Sequence, residues 1–290
     1  MLHYQFMQHA FEAGTMIAIV AGVTGYFVVL RRSAFTAHAF SEIGFAGAAA
    51  SILVSIPPIA GLLAGSISGG LAIAALGRRA ANRDTQIGIV LAFSLGLGLL
   101  FISLYAGYAT ETYSILFGDI LGVSTGAVQL TLVACALILG FTGFLYRPLL
   151  FASLDEDVAE AKGMPMLFLG TAFMLIVAVA VSFSVQVTGV LLIFSLMVTP
   201  AATAQYVARR PQRAIIISVA IGLGVTWSGL FIAFFTPYPV SFFITAEAFG
   251  LYLLVRLVRQ GLKMAPHDRT RRSRHLPLPT DVPTTEAVGE

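Results

Sequence analysis

The chain has 290 residues, of which 58% are hydrophobic and only 11% are charged, and its mean hydropathy is +0.89. A soluble domain carries about 25% charged residues, so this composition excludes soluble folds and predicts a protein that crosses the membrane several times. The apolar runs are about 20 residues long and do not alternate with polar residues, which predicts helices rather than a barrel. The single cysteine, Cys135, excludes disulfides and thiolate metal clusters as organising features.

Nine apolar runs follow one another along the chain. All 17 Lys and Arg can be placed on one face of the membrane, and that face is cytoplasmic by the positive-inside rule. The pattern predicts a bundle with its N-terminus outside and its C-terminus in the cytoplasm. Eight spans remain an alternative if the first run only lies along the interface. The predicted spans are residues 10–30, 34–54, 59–76, 85–108, 126–145, 165–183, 187–206, 214–235 and 240–258.

Two shorter segments interrupt the spans. Residues 109–123 are too polar and too short to cross, and their core, 114–121, predicts a half-helix on the outer face. Residues 152–163 are acidic and predict a short cytoplasmic helix that Gly163 ends. On composition alone this helix is either a solvated linker or a surface for a soluble partner. We therefore divide the chain into a transmembrane domain, 1–260, and a cytoplasmic tail, 261–290, whose polar, Pro-rich composition predicts disorder.

Ionisable residues within the spans are candidate functional residues, because they are costly in lipid. His38 and Glu42 are four residues apart on the second span, so they share a helix face. Imidazole with carboxylate suits Zn²⁺, Mn²⁺ or Fe²⁺ better than Mg²⁺, and two ligands would let the ion leave again. The alternative is a pair that only fixes helix packing. Glu247, midway along the last span, and Asp119, in the outer half-helix, are further candidates for a metal path, with a packing role and a capping role as their alternatives.

The chain lacks the motifs of an enzyme. Its two lysines, Lys162 and Lys263, do not belong to a nucleotide-binding loop, and no G-x-S-x-G or H-E-x-x-H motif occurs. The chain therefore does not hydrolyse ATP by itself. If ATP drives transport, the ATPase is another polypeptide.

Several stretches resemble the permease subunits of metal-ion ABC importers, the zinc/manganese/iron or ABC-3 family. The resemblance runs in order through residues 5–260. The stretches are Arg31-Arg32 with Ala37–Gly47, Asp84–Ile89 at the start of the fourth span, Leu116–Leu121 in the outer element, the coupling segment Asp155–Gly163, and Val187–Leu192 with Met197–Thr203 in the seventh span.

This resemblance implies a homodimer in a bacterial inner membrane, with the translocation path on the dimer axis. It implies a cytoplasmic ABC ATPase dimer that binds ATP, and an extracytoplasmic metal-binding protein on the opposite face. Membrane lipid surrounds the bundle, and neither a permanently bound cofactor nor a nucleic acid partner is expected. The transported ion is expected to be a divalent metal, zinc or manganese in preference to iron.

The resemblance also assigns residues to these roles. In this family an acidic residue and a histidine, four apart on the second span, line the cation path. His38 and Glu42 align with that pair by position, although the order of the two residue types is reversed. The residues expected to contact the ATPase are Asp155, Glu156, Asp157, Ala159, Glu160, Ala161 and Gly163.

Two other kinds of transporter remain as alternatives. A siderophore or cobalamin importer permease would need a wider path and usually more spans. A secondary cation transporter, independent of ATP and driven by protons through Glu42 and Glu247, would show inverted repeats, and the sequence does not display them.

Overall fold

The fold is described from a computed structural model, which covers residues 3–75, 83–105, 118 and 120–264. Within these ranges the chain forms eleven α-helices and no strand. In chain order the helices are α1 (Gln5–Leu30), α2 (Ala34–Leu53), α3 (Pro58–Ala75), α4 (Arg83–Leu104), α5 (Thr125–Phe144), α6 (Tyr146–Leu154), α7 (Glu156–Ala161), α8 (Met166–Thr188), α9 (Val190–Val207), α10 (Pro211–Phe235) and α11 (Val240–Met264).

Nine of the described helices coincide with the nine predicted spans, and α6 and α7 are the short helices between α5 and α8. Seven of them are long and apolar enough to cross a membrane, namely α1, α4, α5, α8, α9, α10 and α11. In α2, the polar residues His38 and Glu42 lower the hydropathy, and α3 contributes a shorter apolar stretch, Pro58–Ile73. The chain is therefore an all-α protein that crosses the membrane several times.

The turn between α8 and α9 lies later in the chain than the sequence predicts. Residues 184–186, the predicted turn, are still helical, and α8 ends at Thr188. Gly189 makes the turn with φ of 82°, a left-handed conformation that glycine adopts without steric cost. The position of this glycine is therefore a better guide to the boundary than the hydropathy.

Two predicted segments lie outside the described residues. These are most of the outer half-helix, 114–121, of which only Gly118, Ile120 and Leu121 are described, and the tail from 265 onwards. Helix α11 continues to Met264, beyond the boundary at 260 that we placed between the transmembrane domain and the tail.

Helix α1 is the centre of the bundle. It packs mainly on α10 and α9 and also contacts α5 and α8. Glycines allow the closest approaches: a Cβ on Gly25 would lie 2.0 Å from the carbonyl oxygen of Met197, and one on Gly22 would lie 2.8 Å from the Cα of Val219. Helices associate in lipid largely through such close backbone packing.

Helix α2 lies between α3 and α4 and also contacts α8 and α9. Its contact with α3 depends on glycines of both helices. A Cβ on Gly47 would lie 2.2 Å from the carbonyl oxygen of Gly61, and one on Gly65 would lie 2.7 Å from that of Ile43. The position of α2 in the bundle is thus fixed by backbone contact with α3.

We expect Gly47→Ala to destabilise the bundle by about 1–3 kcal/mol, the usual cost of overpacking a tight core. The added methyl group would meet backbone atoms, which cannot move aside as a flexible side chain can. Thermal unfolding of the purified protein in detergent measures the effect. Gly96→Ala in α4 is the matched control, because a Cβ added to Gly96 would have no atom within 4 Å. Equal unfolding temperatures for the two variants would contradict this account of the α2–α3 contact.

Helices α4 and α11 are the least covered of the candidate spans. Only 17% of the span is buried in each of them, compared with 67% in α1. Both expose large apolar side chains, among them Phe93 and Leu100 on α4 and Phe242 and Leu254 on α11. These faces are available to lipid or to another protein chain.

Candidate functional site

The pair of ionisable residues on α2 lies largely, but not entirely, within the bundle. Glu42 is buried, with 4% of its surface exposed, and 25% of the His38 side chain is exposed. The Nε2 atom of His38 lies 4.0 Å from Oε1 of Glu42, so the two groups are neighbours but are too far apart for a hydrogen bond. The structure thus confirms that the i, i+4 spacing brings both side chains to one face of α2.

Both members of this pair have a buried polar atom that is not satisfied by the described part of the protein. Nδ1 of His38 and Oε2 of Glu42 have no hydrogen-bond partner there. An unpartnered buried polar atom costs about 1–3 kcal/mol, so both atoms are open to a ligand that the described part of the protein does not supply. The atoms 4.0 Å apart, Nε2 of His38 and Oε1 of Glu42, are not the two unpartnered ones. Two donors to one tetrahedral ion at about 2.1 Å each lie about 3.4 Å apart, so a shared cation would draw the two side chains closer together.

The His38 ring packs against an aromatic side chain of another helix. The ring lies 4.9 Å from that of Phe194 on α9, measured between centroids. One turn further along α2, the Ser41 hydroxyl donates a hydrogen bond to the carbonyl oxygen of His38. The sequence does not identify Phe194 as part of the site, because only the tertiary packing of α2 against α9 brings the two rings together.

The structure places Glu247 in a different environment. Its carboxylate accepts a hydrogen bond from the Ser228 hydroxyl, which links α11 to α10. The sequence does not identify Ser228, since the two residues lie on separate helices. Asp119 lies outside the described residues. Within the ranges that the structure covers, no group of three or more His, Cys, Asp or Glu residues could hold a metal ion.

The acidic segment forms the short helix α7 with a well-defined start and end. At the N-terminus, the Asp155 side chain accepts a hydrogen bond from the backbone N–H of Val158 at 3.0 Å. At the C-terminus, Gly163 has φ of 76°, and the N–H groups of Gly163 and Met164 donate to the carbonyl oxygens of Glu160 and Ala159. This is the Schellman arrangement that ends many helices. The predicted end at Gly163 is confirmed, whereas residues 152–154 of the predicted helix belong to α6 and α7 starts after Asp155.

The side chains of α7 divide into a buried and an exposed group. Ala159 is fully buried and anchors the helix to the bundle, so it is not available on the surface. Val158 has 42% of its surface exposed, and Leu154, at the end of α6, has 63%. The other residues expected to contact a partner are exposed: Asp155, Glu156, Asp157, Glu160, Ala161 and Gly163. The sequence draws attention to the carboxylates, and it gives no comparable signal for the exposed apolar residues Leu154 and Val158 beside them.

These features define a class of protein: a helical, multi-pass membrane protein with a buried pair of potential cation ligands and a capped, exposed helix between two spans. The chain matches the family model of the ABC 3 transport family over residues 3–259. It belongs to this family, whose members are permeases of metal-ion ABC importers, as the sequence motifs indicate.

Individual relatives are similar over most of their length. The manganese import system permease protein ScaB of Streptococcus gordonii is 31% identical over 232 residues, which cover 80% of this chain and 83% of the relative. The manganese transport system membrane protein MntC of Listeria monocytogenes is 28% identical over 235 residues, with 81% and 84% covered. A chain in the structure of PsaBC from Streptococcus pneumoniae in complex with Fab has a TM-score of 0.79 and 29% identity, covering 87% of this chain and 91% of that one.

Proposed function

We propose that the chain is the membrane-spanning subunit of an ATP-driven importer of a divalent metal, and that it forms the translocation path as a homodimer. The single observation that carries this proposal is the His38–Glu42 pair, which offers two unsatisfied ligand atoms inside a membrane bundle. In an importer the ion must bind and then leave, which favours few and exchangeable ligands. The metal is the transported substrate and not a resident cofactor.

A second copy of the chain would complete the site. One protomer supplies only two ligands at the pair, and its described part holds no cluster of three. Two protomers related by a two-fold axis would supply two imidazoles and two carboxylates. The poorly covered faces of α4 and α11 are suitable surfaces for this contact, because α4 packs directly on α2, which carries the pair. In this arrangement Glu247 and Asp119 are proposed to line the path above or below the pair.

Manganese is the ion we favour, with zinc as the nearest alternative and iron after it. The names of two similar proteins, ScaB and MntC, refer to manganese. The donors of the pair are one imidazole and one carboxylate. They suit both Mn²⁺ and Zn²⁺. The ligand pair therefore supports the class of ion, and the relatives support the choice within it.

The proposed drive for transport is a separate ABC ATPase dimer, supplied with metal by an extracytoplasmic binding protein. The exposed helix α7, together with the end of α6, is the proposed contact of the ATPase. If this contact is cytoplasmic, the N-terminus of the chain is outside and the C-terminus is in the cytoplasm. ATP-driven closure of the ATPase dimer would then move α7, and the two bundles would rock around the path on their common axis.

Metal competition tests this proposal. Cells that carry the complete transporter are expected to take up radiolabelled Mn²⁺, and excess unlabelled Mn²⁺ is expected to suppress uptake more strongly than equal Zn²⁺ or Fe²⁺. Depletion of ATP is expected to stop uptake, whereas collapse of the proton gradient at constant ATP is not. Uptake that follows the proton gradient and ignores ATP would instead identify a secondary transporter. Stronger suppression by Zn²⁺ would retain the importer and change its substrate.

A further inference from the structure

A groove between α5 and α8 lies away from the His38–Glu42 pair. Its volume is about 430 Å³, and every side chain that lines it is apolar, among them Ile138 and Leu145 from α5 and its C-terminal end, and Ala172 and Ile176 from α8. Both helices are apolar enough to cross the membrane, so the groove lies at membrane depth. Because lipid surrounds the bundle there, an occupant from the membrane is favoured over a soluble ligand.

The rim of the groove is formed by exposed aromatic side chains. Phe141 has 61% of its surface exposed and Phe144 has 82%, both on α5, and Phe168 on α8 has 62%. No charged or polar side chain of the described residues lines the groove. This environment suits a flexible hydrocarbon chain, whose apolar surface gains packing contacts along the whole length of the groove.

Two basic side chains lie in the segment that connects the two helices of the groove. The α5–α6 connection keeps its helical course: the N–H of Leu145 donates to the carbonyl oxygen of Phe141 at 3.0 Å, and that of Leu149 donates to Leu145 at 2.8 Å. Arg147 therefore follows Phe144 by one helical turn, on the side of the groove. It is exposed, and it forms no ion pair with a carboxylate of the described residues.

The second basic side chain is Lys162, which follows α7. Its Nζ lies 5.2 Å from the ring centroid of Phe151, and Phe151 follows Arg147 by four residues, which is again about one turn. Arg147 and Lys162 therefore lie along the same side of α6. The carboxylates of Asp155, Glu156, Asp157 and Glu160 lie on α7 and its N-cap, and Lys162 is the C-cap residue of the same helix.

We propose that this groove binds an acyl chain of an anionic phospholipid, with the phosphate group held by Arg147 and Lys162. The apolar groove accounts for the hydrocarbon chain, and charge complementarity accounts for the headgroup. Arginine binds phosphate oxygens through two parallel hydrogen bonds, and lysine adds a compact charge. The bound lipid would lie beside α6 and α7, the helices proposed to contact the ATPase, and would support their position relative to α8.

Photocrosslinking of the purified full-length chain in nanodiscs tests this inference. The probes are phosphatidylglycerol and phosphatidylcholine with the same photoactivatable acyl chain, used in separate samples. Phosphatidylglycerol is expected to label peptides of α5 and α8 more strongly than phosphatidylcholine. Arg147→Gln is expected to reduce this preference about fivefold, since one basic residue near an anionic lipid contributes about that factor. Arg210→Gln, at an exposed arginine before α10, is the matched control and is expected to leave labelling unchanged.

A second pair of variants tests the groove itself. Ala172→Phe places a ring in the groove and is expected to bring labelling by both probes to background. Leu167→Phe is the control on the same helix, since Leu167 is 76% exposed and does not line the groove. Val179→Phe serves as a second filling variant if Ala172→Phe does not fold.

Three results would overturn the proposal. One is equal labelling by the two probes, and another is labelling that survives both groove-filling variants. The third is a groove that neither lipid probe labels and that crosslinks to a second copy of the chain instead. None of these results bears on metal uptake, so the proposed transport function is tested separately.

Discussion

The double variant His38→Ala with Glu42→Ala is expected to lower metal uptake by at least about 100-fold. Loss of the groups that only orient metal ligands already costs about 10–100-fold in affinity or activity, and these variants remove the proposed ligands themselves. Uptake of radiolabelled Mn²⁺ into cells with the complete transporter measures the effect. The ATPase is expected to co-purify with the variant as it does with the wild type, because the pair lies on α2 and not on α6 or α7.

A single isosteric variant separates a ligand from a packing residue. Glu42→Gln keeps the size and shape of the buried side chain but replaces one acceptor oxygen by an NH2 donor and removes the carboxylate charge. If Glu42 serves packing alone, this variant retains uptake, because an amide can occupy the same space. We expect it to lose most uptake, and we expect its thermal unfolding temperature to stay at or above that of the wild type, since burial of a charge is costly.

The matched control for the pair is Ser41→Ala. Ser41 lies between the two residues on α2 and hydrogen-bonds the backbone of its own helix, at the carbonyl oxygen of His38. Its removal is expected to leave uptake within about twofold, as the net value of such a bond is small. If Ser41→Ala and the double variant reduced uptake equally, the His38–Glu42 pair would have to be assigned a role in packing of α2.

The architecture follows from the sequence because membrane helices are set by simple constraints. A hydrocarbon core about 30 Å thick demands long apolar helices, and each predicted span corresponds to a helix of the structure. The prediction of a turn at 184–186 is wrong, although Ser184 and Gln186 in this stretch are polar. The backbone of Ser184 remains part of α8, and its carbonyl oxygen accepts a hydrogen bond from the Thr188 hydroxyl at 2.8 Å. Local polarity is therefore a weaker signal for a turn than a glycine with positive φ.

Features of the site can be predicted only where they depend on one helix. The shared face of His38 and Glu42 follows from helical spacing, and the ends of α7 follow from Asp155 and Gly163. By contrast, the Phe194 ring beside His38 and the Ser228 hydroxyl on Glu247 come from other helices. Which face of one helix meets which face of another depends on the packing of small residues over the whole bundle, and one sequence does not specify it.

The second large effect is expected at α7. Val158→Asp is predicted to reduce co-purification of the ABC ATPase by more than about tenfold. A central apolar contact of an interface is typically worth more than about 1 kcal/mol, and a charge placed there must also lose its hydration on binding. Val158 is 42% exposed, so the variant should leave the permease folded. The measurement is the ATPase activity recovered with the affinity-tagged permease from detergent-solubilised membranes.

The matched control applies the same substitution at the other end of the bundle. Val54, at the end of α2, is 62% exposed and lies on the predicted outer face. Val54→Asp is expected to leave recovery of the ATPase unchanged. If both variants reduced recovery equally, the loss would reflect a general effect of the added charge on the membrane protein and not a contact at α7.

Replacement of the whole segment Asp155–Gly163 by a flexible Gly-Ser linker of equal length is expected to abolish ATPase association while the permease remains inserted in the membrane. Ala159 is fully buried and anchors α7, so the linker removes both the exposed surface and the connection that would transmit its movement to α8. Ala159→Leu distinguishes these two roles: it keeps the exposed surface but overfills the anchor. We expect this variant to bind the ATPase and to transport poorly, because a displaced α7 would no longer pass the force of ATP-driven closure to the bundle. Undiminished ATPase recovery with the linker would place the contact elsewhere on the chain.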